Sequence, residues 1–153
     1  MKRIEVRLSL AVVAPLLDVI KAAADSLSDG LAAPNRLADV EPDFRSEWRS
    51  ELLATQNSEV TQLLALFDKE FFATGVIAFD RDNAEPVVRA CAAVRLRLRE
   101  RHLTGLDEDL LESGDVELEA LPEPARKAFM CYLFLATIQE LIIQHLDSSI
   151  LES

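Results

Sequence analysis

Few side chains in this chain could do chemistry, and their spacing forms no catalytic or metal-binding motif. His102 and His145 are the only histidines, and neither stands in a His-Glu-x-x-His motif or in the Glu-x-x-His pattern of helical di-iron sites. Cys91 and Cys131 are the only cysteines. Both lie in apolar helical patterns, which indicates buried, reduced thiols rather than an exposed nucleophile. We therefore expect a non-enzymatic protein with no cofactor and no metal ion.

The overall charge of the chain argues against two classes of partner. The formal net charge is −11, which keeps the protein soluble and disfavours non-specific binding to nucleic acids or to anionic membranes. Only 4 glycines are present, and they form no phosphate-binding loop. The N-terminal residues show no long apolar core followed by a small-residue cleavage site, so we expect no signal peptide and a cytoplasmic location.

Arginines are concentrated in one predicted helix, residues 82–103. They point to several sides of that helix and comprise Arg89, Arg95, Arg97, Arg99 and Arg101. One interpretation is that the outward arginines contact nucleic-acid phosphates. The other, which we favour, is that they are solvated or pair with the acids of segment 107–119, which contains no base. Within the second interpretation, Arg89 or Arg95 buried against a carboxylate would specify the fold.

The elements that must position these side chains are organised around a C-terminal helix, residues 122–151. Residues 128–136 are an unbroken apolar run, and a helix that is apolar on every side belongs in the middle of a fold. A membrane span needs about 20 mainly apolar residues, and the charged and polar residues that flank the run leave too few. We therefore expect a core helix, which becomes amphipathic after Thr137.

The end of this helix carries a candidate partner face, formed by Ile143, Leu146, Ile150 and Leu151. This face either binds a protein partner or a second copy of the chain, as in a homodimer, or closes the core of the monomer. The sequence leaves these alternatives open.

Two short stretches predict a small β element. Residues 3–10 alternate polar and apolar side chains, which is the period of a half-buried strand. Residues 76–79 are a short apolar run with a β-branched start, and we expect the two stretches to pair. Between them, a helix that starts near residue 11 should end with Gly30 in the left-handed conformation.

Two more helices are predicted before the second strand. Residues 43–54 form a short helix with Phe44 and Trp48 facing inward, because Trp is more often a packing residue than a ligand platform. A third helix, with Asn57 or Ser58 as its cap, should run to the glycine at position 75.

The arginine-rich helix should begin with a capping box, in which Glu85 follows Asp82 by three residues. The side of this helix that faces the core is a stripe of small and apolar residues, namely Val87, Ala90, Cys91, Val94 and Leu98.

The same helix carries a family resemblance. Residues 84–98 resemble a segment of an uncharacterised bacterial family, domain of unknown function 2017, whose members carry an Ala-Glu-x-Trp-Leu-Arg-Ala-Leu-Asn-Asp-Leu-Arg-Leu-x-Leu type of run. The matching positions are Ala84, Glu85, Arg89, Ala90, Arg95, Leu96 and Leu98. The chain departs from the run at Val87, which replaces an aromatic residue, and at Ala92 and Ala93, which replace a polar pair.

The resemblance implies no established activity. Members of the family are often encoded beside the adaptor of the Clp protease, which implies a link to regulated proteolysis by association rather than by mechanism.

These observations predict a single, mainly α-helical domain over residues 1–153, with a small two-stranded β element beside the helices. The function that we expect is a cytoplasmic interaction or regulatory protein, linked to Clp-dependent proteolysis by the family association. The alternative is a nucleic-acid-linked transcriptional regulator that uses the arginine-rich helix. A third, weaker hypothesis is a small-molecule site between helices.

Overall fold

The structure is a computed structural model that describes residues 3–32, 40–113 and 116–151, except the side chains of residues 108, 112 and 146–151. It is mainly helical with one small antiparallel sheet, as predicted. The elements in chain order are β1 (Ile4–Arg7), α1 (Leu10–Leu27), α2 (Pro42–Ala65), α3 (Lys69–Thr74), β2 (Val76–Phe79), α4 (Ala84–His102), α5 (Glu108–Ser113), a 3-10 turn (Leu118–Ala120) and α6 (Glu123–Leu151).

The core forms where α4 packs against α6, and α1 and α2 cover this pair. The predicted stripe of α4 is buried throughout. From α6, Phe129, Leu135 and Ile138 enter the same core and are at most 1% exposed. The apolar run of α6 is buried or half-buried except at Met130, which is 38% exposed. The organisation around the C-terminal helix therefore agrees with the prediction.

One stretch of α6 also has the length and composition of a membrane span. Among the described residues, Glu123–His145 is long and apolar enough to cross a bilayer, and 39% of that window is buried within the protein. The core helix of a soluble protein meets the same criteria, so the packing of α6 against α4 is the more informative observation.

The two strands pair antiparallel, with Ile4 opposite Phe79. This pairing was predicted, but β1 ends at Arg7 rather than at residue 10. The chain bends there because the carbonyl of Ser9 accepts the N–H of Val13 (3.0 Å) and so begins α1.

The end of α1 differs from the prediction. Gly30 does not adopt the left-handed conformation. Side chains from α2, instead of a left-handed glycine, cap the carbonyl groups at the end of α1. The Nε2 of Gln56 donates to the carbonyls of Leu27 (3.0 Å) and Gly30 (3.1 Å), and the Nδ2 of Asn57 donates to the carbonyl of Ser28 (3.2 Å). The carbonyls that a helix end leaves unpaired are therefore satisfied across the fold.

α2 is one continuous helix where the sequence predicted two. Asn57 and Ser58 do not cap a new helix, because no Gly or Pro interrupts the chain and Asn57 is used to cap α1. The predicted inward orientation of two aromatic residues is also wrong. Phe44 is 53% exposed and Trp48 is 52% exposed, because residues 42–51 of α2 are exposed.

α3 is a separate short helix with strong signals at both ends. The Oδ1 of Asp68 accepts the N–H of Phe71 (3.0 Å) and caps its start. Gly75 ends it with φ 75, as predicted, and donates its N–H to the carbonyl of Phe71 (2.6 Å).

α4 does not begin with the predicted capping box of Asp82 and Glu85. Asp80 organises this turn instead, since its Oδ1 accepts the N–H groups of Asp82 (2.9 Å) and Asn83 (3.1 Å). Glu85 is available for a different contact and pairs with Arg89 one turn later.

Gly75→Ala should destabilise the protein by about 2 kcal/mol or more, because an L residue is strained at this positive φ. A Cβ atom would also lie 2.8 Å from the carbonyl oxygen of Leu8. Urea unfolding followed by circular dichroism measures the change. Gly105→Ala is the control, because a Cβ there meets nothing within 4 Å, and it should stay within about 0.5 kcal/mol of the parent. Equal effects of the two substitutions would contradict this account.

Candidate functional site

A polar cluster around Arg95 joins α4 to α6. The Nη1 of Arg95 donates to the Oε1 of Gln139 (2.6 Å), and the guanidinium carbon lies 4.3 Å from the ring centroid of Tyr132. The Nε2 of Gln139 donates in turn to the backbone carbonyl of Val88 (2.9 Å). The cluster therefore contacts both the backbone and a side chain of α4.

The partners of Arg95 are a ring and an amide rather than the predicted carboxylate. Tyr132 is 8% exposed, so the cation lies over a ring face that is largely removed from water, where a cation–π contact is strongest. Gln139 both accepts from Arg95 and donates to the carbonyl of Val88. A glutamate could accept from Arg95 but would place a negative oxygen against that carbonyl, which explains why an amide suits this position.

Arg89 has the carboxylate partners that were predicted for one of these two arginines, but it is not buried. It forms ion pairs with Glu59 of α2 and with Glu85 of its own helix, and its side chain is 50% exposed. The hydrogen bond with Glu59 raises the pKa of Arg89 above its ordinary value. Glu59 is 12% exposed, but the exposed side of Arg89 lets water screen the pair, so it contributes about 1 kcal/mol and serves mainly to align α2 with α4.

The other two candidate arginines lie further along α4. Arg97 has a side chain only 13% exposed, and its Nη1 is 3.9 Å from Glu100. Its Nε is buried without a hydrogen-bond partner. Arg99 is half-buried and makes contacts of its own.

The acidic segment 107–119 is described only in part. Asp107 caps α5, where its Oδ1 accepts the N–H of Leu110 (2.9 Å). Residues 114 and 115 and the side chains of Glu108 and Glu112 lie outside the described part of the chain. The pairing of this segment with α4 therefore stays a prediction.

A groove of about 350 Å³ runs between α2 and α4. Its lining is mostly apolar and includes Leu52, Ala92, Ala93 and Leu96, with the Glu59–Arg89 pair at its edge. Trp48 lies one helical turn before Leu52, and Phe44 lies one turn before Trp48, so their side chains form a stripe that leads into the groove. We call Phe44, Trp48, Leu52 and Leu96 the apolar strip.

Comparison with known proteins identifies the family. The family model described as domain of unknown function (DUF2017) matches residues 22–146, most of the chain. The chain belongs to this family. No curated protein and no solved structure matches the chain.

The DUF2017 match includes every site described so far. It covers the last third of α1, all of α2 and α4, and most of α6. The two alanines at which the chain departs from the expected family run, Ala92 and Ala93, both line the groove. Small apolar side chains at these positions keep the groove apolar and open.

The thiols and histidines show no arrangement for catalysis. Cys91 and Cys131 are buried and not joined in a disulfide, and burial raises the pKa of each to about 12. Both therefore stay protonated near neutral pH and are poor nucleophiles. His102 and His145 are exposed. In the described part of the chain, no group of three or more His, Cys, Asp or Glu side chains could hold a metal ion.

The candidate partner face of α6 is described at one of its four residues. Ile143 is 50% exposed. The side chains of Leu146, Ile150 and Leu151 lie outside the described residues, so this face stays a prediction.

Sequence reasoning missed the residues that contact Arg95 and the residue that caps the end of α1. Gln139 and Gln56 each use both ends of the amide across an interface between elements, and Tyr132 supplies the ring beneath Arg95. A glutamine inside a helix carries no local signal for such a role. The only available hint was a polar side chain close to a stripe of buried residues.

Arg95→Ala should lower the free energy of unfolding by about 2–3 kcal/mol, through loss of a charge-assisted hydrogen bond and the contact with Tyr132. Chemical denaturation monitored by circular dichroism measures it. Arg101→Ala, on the same helix and exposed, should change stability by about 0.5 kcal/mol or less. If Arg95→Ala matched this control, the cluster would have no structural role.

Both cysteines should resist thiol reagents at pH 8 until the protein unfolds. The raised pKa values also make stability depend on pH. Above about 9, the ordinary thiol pKa, the unfolded chain loses these protons first, so stability should fall as the pH rises from about 9 to about 12. Labelling with a disulfide reagent, with and without urea, tests the first point. Rapid labelling of the folded protein would contradict the burial of the thiols.

Proposed function

We propose that the protein is a non-enzymatic, cytoplasmic interaction protein that binds another protein through the apolar strip. The observation that carries this proposal is the exposure of Phe44 and Trp48 on adjacent turns of α2. Aromatic side chains that are half exposed in the isolated protein do not gain the full free energy of burial, which a partner could supply. Trp is also among the residues that contribute most to binding in protein interfaces.

The shape of the surface supports a protein partner. The stripe on α2 continues into the groove lined by Leu52 and Leu96, so an apolar segment could lie along one continuous path. Leu96 is itself 44% exposed. A concave apolar surface beside an exposed aromatic pair fits a helix that presents its apolar side chains at intervals of three and four residues.

Charges beside the strip indicate the chemistry of that partner. Asp43, Glu47 and Glu51 follow one another at one-turn intervals next to the aromatic stripe, and all three are exposed. On the other side lie Arg45 and Arg49, which are both exposed. Arg45 donates to the carbonyl of Val40 and Arg49 to the carbonyl of Asp29 (2.8 Å each), and both guanidinium groups keep their positive charge. One border of the strip is therefore acidic and the other is basic. The complementary partner is an amphipathic segment with Lys or Arg on the side of its apolar face that meets Asp43, Glu47 and Glu51.

The family association provides the first partner to test. We propose a role alongside Clp-dependent proteolysis, with the Clp adaptor as the candidate. The nucleic-acid alternative has less support, since Arg89 pairs with two carboxylates and Arg95 and Arg97 are largely enclosed. Self-association through Ile143 and the end of α6 is the other partner hypothesis.

Trp48 is the only tryptophan in the chain, so its fluorescence reports directly on the strip. Titration with the purified Clp adaptor should shift its emission to shorter wavelength as the ring leaves water. By calorimetry, Trp48→Ala should weaken binding about 30-fold, the equivalent of about 2 kcal/mol. Phe72→Ala is the matched control, because Phe72 is 53% exposed on α3, away from the strip.

A pull-down from the native lysate at two salt concentrations tests the wider proposal. A stoichiometric protein that is retained at high salt and lost with Trp48→Ala, but not with Phe72→Ala, is the expected result. Recovery of nucleic acid alone, and only at low salt, would favour the α4 arginines instead. Recovery of the protein alone would favour self-association.

A further inference from the structure

A second cavity lies at the far end of α4 from the Glu59–Arg89 pair. It has a volume of about 260 Å³ and lies between α1, the last turns of α4 and the first turn of α6. Val19, Ala22 and Leu98 form part of an apolar wall, and Arg97, Arg101, His102 and Lys127 surround it. Asp18 is the one acid among the described residues that line it.

This local charge is opposite to that of the whole protein. The chain carries a net charge of −11, yet basic residues from two helices meet at this cavity. Glu100 and Glu123, which are 66% and 75% exposed, lie 3.9 and 3.6 Å from Arg97 and Lys127, and Asp18 is exposed as well. Exposed carboxylates at such distances neutralise a cation weakly, so the basic character of the cavity persists.

Stabilisation of helix ends explains only part of this arrangement. Arg101 and His102 lie in the last turn of α4, where the helix dipole favours cations without any ligand. It does not explain Lys127, which α6 brings to the same place. Nor does it explain Arg97, whose Nε is buried without a hydrogen-bond partner. A buried donor without an acceptor costs stability, and an anion in the cavity would satisfy the donor on Arg97. The Nε of Arg95 is unpaired in the same way but does not line the cavity.

The start of α6 adds to the positive potential. Pro124, in the first turn of this long helix, also lines the cavity. Pro124 has no N–H to donate, but the partial positive charge of the helix N-terminus favours a nearby anion. The cationic side chains, the helix end and the apolar wall therefore face the same small volume.

We propose that this cavity binds a small soluble anion with a short apolar part, such as a carboxylate or phosphate monoester attached to a ring or a short hydrocarbon. The bases bind the anionic group, and the wall of Val19, Ala22 and Leu98 receives the apolar part. The volume is below the range typical of drug-sized ligands, which favours a compact molecule over a dinucleotide. This inference does not depend on the proposed protein partner, since the apolar strip lies elsewhere on the molecule.

Phenyl phosphate, inorganic phosphate and phenol separate the two contributions in calorimetric titrations of the full-length protein. Phenyl phosphate should bind at least about tenfold more tightly than either fragment, because only it uses both the bases and the wall. Equal affinity for phenyl phosphate and inorganic phosphate would overturn the role of the wall. Absence of phenyl phosphate binding would overturn the proposal.

Substitutions then place the ligand in the cavity. Arg101→Gln with Lys127→Gln should weaken phenyl phosphate binding at least about tenfold. The control, Arg81→Gln with Lys69→Gln, removes the same charges from exposed residues outside the cavity and should leave binding unchanged. Ala22→Phe should also weaken binding at least about tenfold, without any change of charge, because it fills the cavity. An equal loss in the control pair, or no loss with Ala22→Phe, would show general electrostatic attraction and overturn the proposal.

A membrane-bound source of the same anion is tested separately. Sedimentation with vesicles of phosphatidic acid in phosphatidylcholine measures lipid binding. Vesicle binding that depends on Arg101 and Lys127, and that phenyl phosphate does not displace, would overturn assignment to a soluble ligand. Displacement by phenyl phosphate, or no vesicle binding, agrees with it.

Discussion

The burial of α6 against α4 is the contact on which the rest of the structure depends. Phe129, Leu135, Ile138 and Ile142 are at most 1% exposed, and full burial of each such side chain contributes about 1.5–3 kcal/mol. The small side chains of the α4 stripe, including Ala90, allow the two helices to approach closely. α1 and α2 pack against this pair. The groove and the basic cavity are the spaces left where these outer helices meet α4.

Hydrophobic burial alone does not fix how neighbouring helices are rotated and shifted, because it has no direction. Two glutamines supply that direction. Gln139 fixes α6 against α4 through Arg95 and the carbonyl of Val88, and Gln56 fixes α2 against the end of α1. Each amide uses a donor and an acceptor at once, so a shift of one helix would break two hydrogen bonds together. Both candidate binding surfaces depend on these alignments.

Several elements with local signals were predicted well, whereas the capping box at Asp82 and the left-handed form of Gly30 were not. The α4 stripe, the second strand and the cap at Gly75 follow from periodicity and from the chemistry of single residues. The continuity of α2 could not be predicted, because Asn57 resembles a helix cap until its partner, the end of α1, is known. Trp48 fits a core-facing pattern, but the first part of α2 is exposed to solvent, and Trp48 is exposed with it. The basic cavity requires α6 to bring Lys127 beside Arg101, which no single stretch of sequence reveals.

The pairing of β1 with β2 has a consequence for the order of folding. Arg7 lies opposite Val76, so the sheet closes a loop that consists of residues 8–75, and closing a loop of that length costs conformational entropy. During synthesis, residues 4–7 have no strand partner until residues 76–79 have left the ribosome. The helices between them are built from local contacts that form faster. The two strands should therefore pair late, after the helical region has begun to assemble.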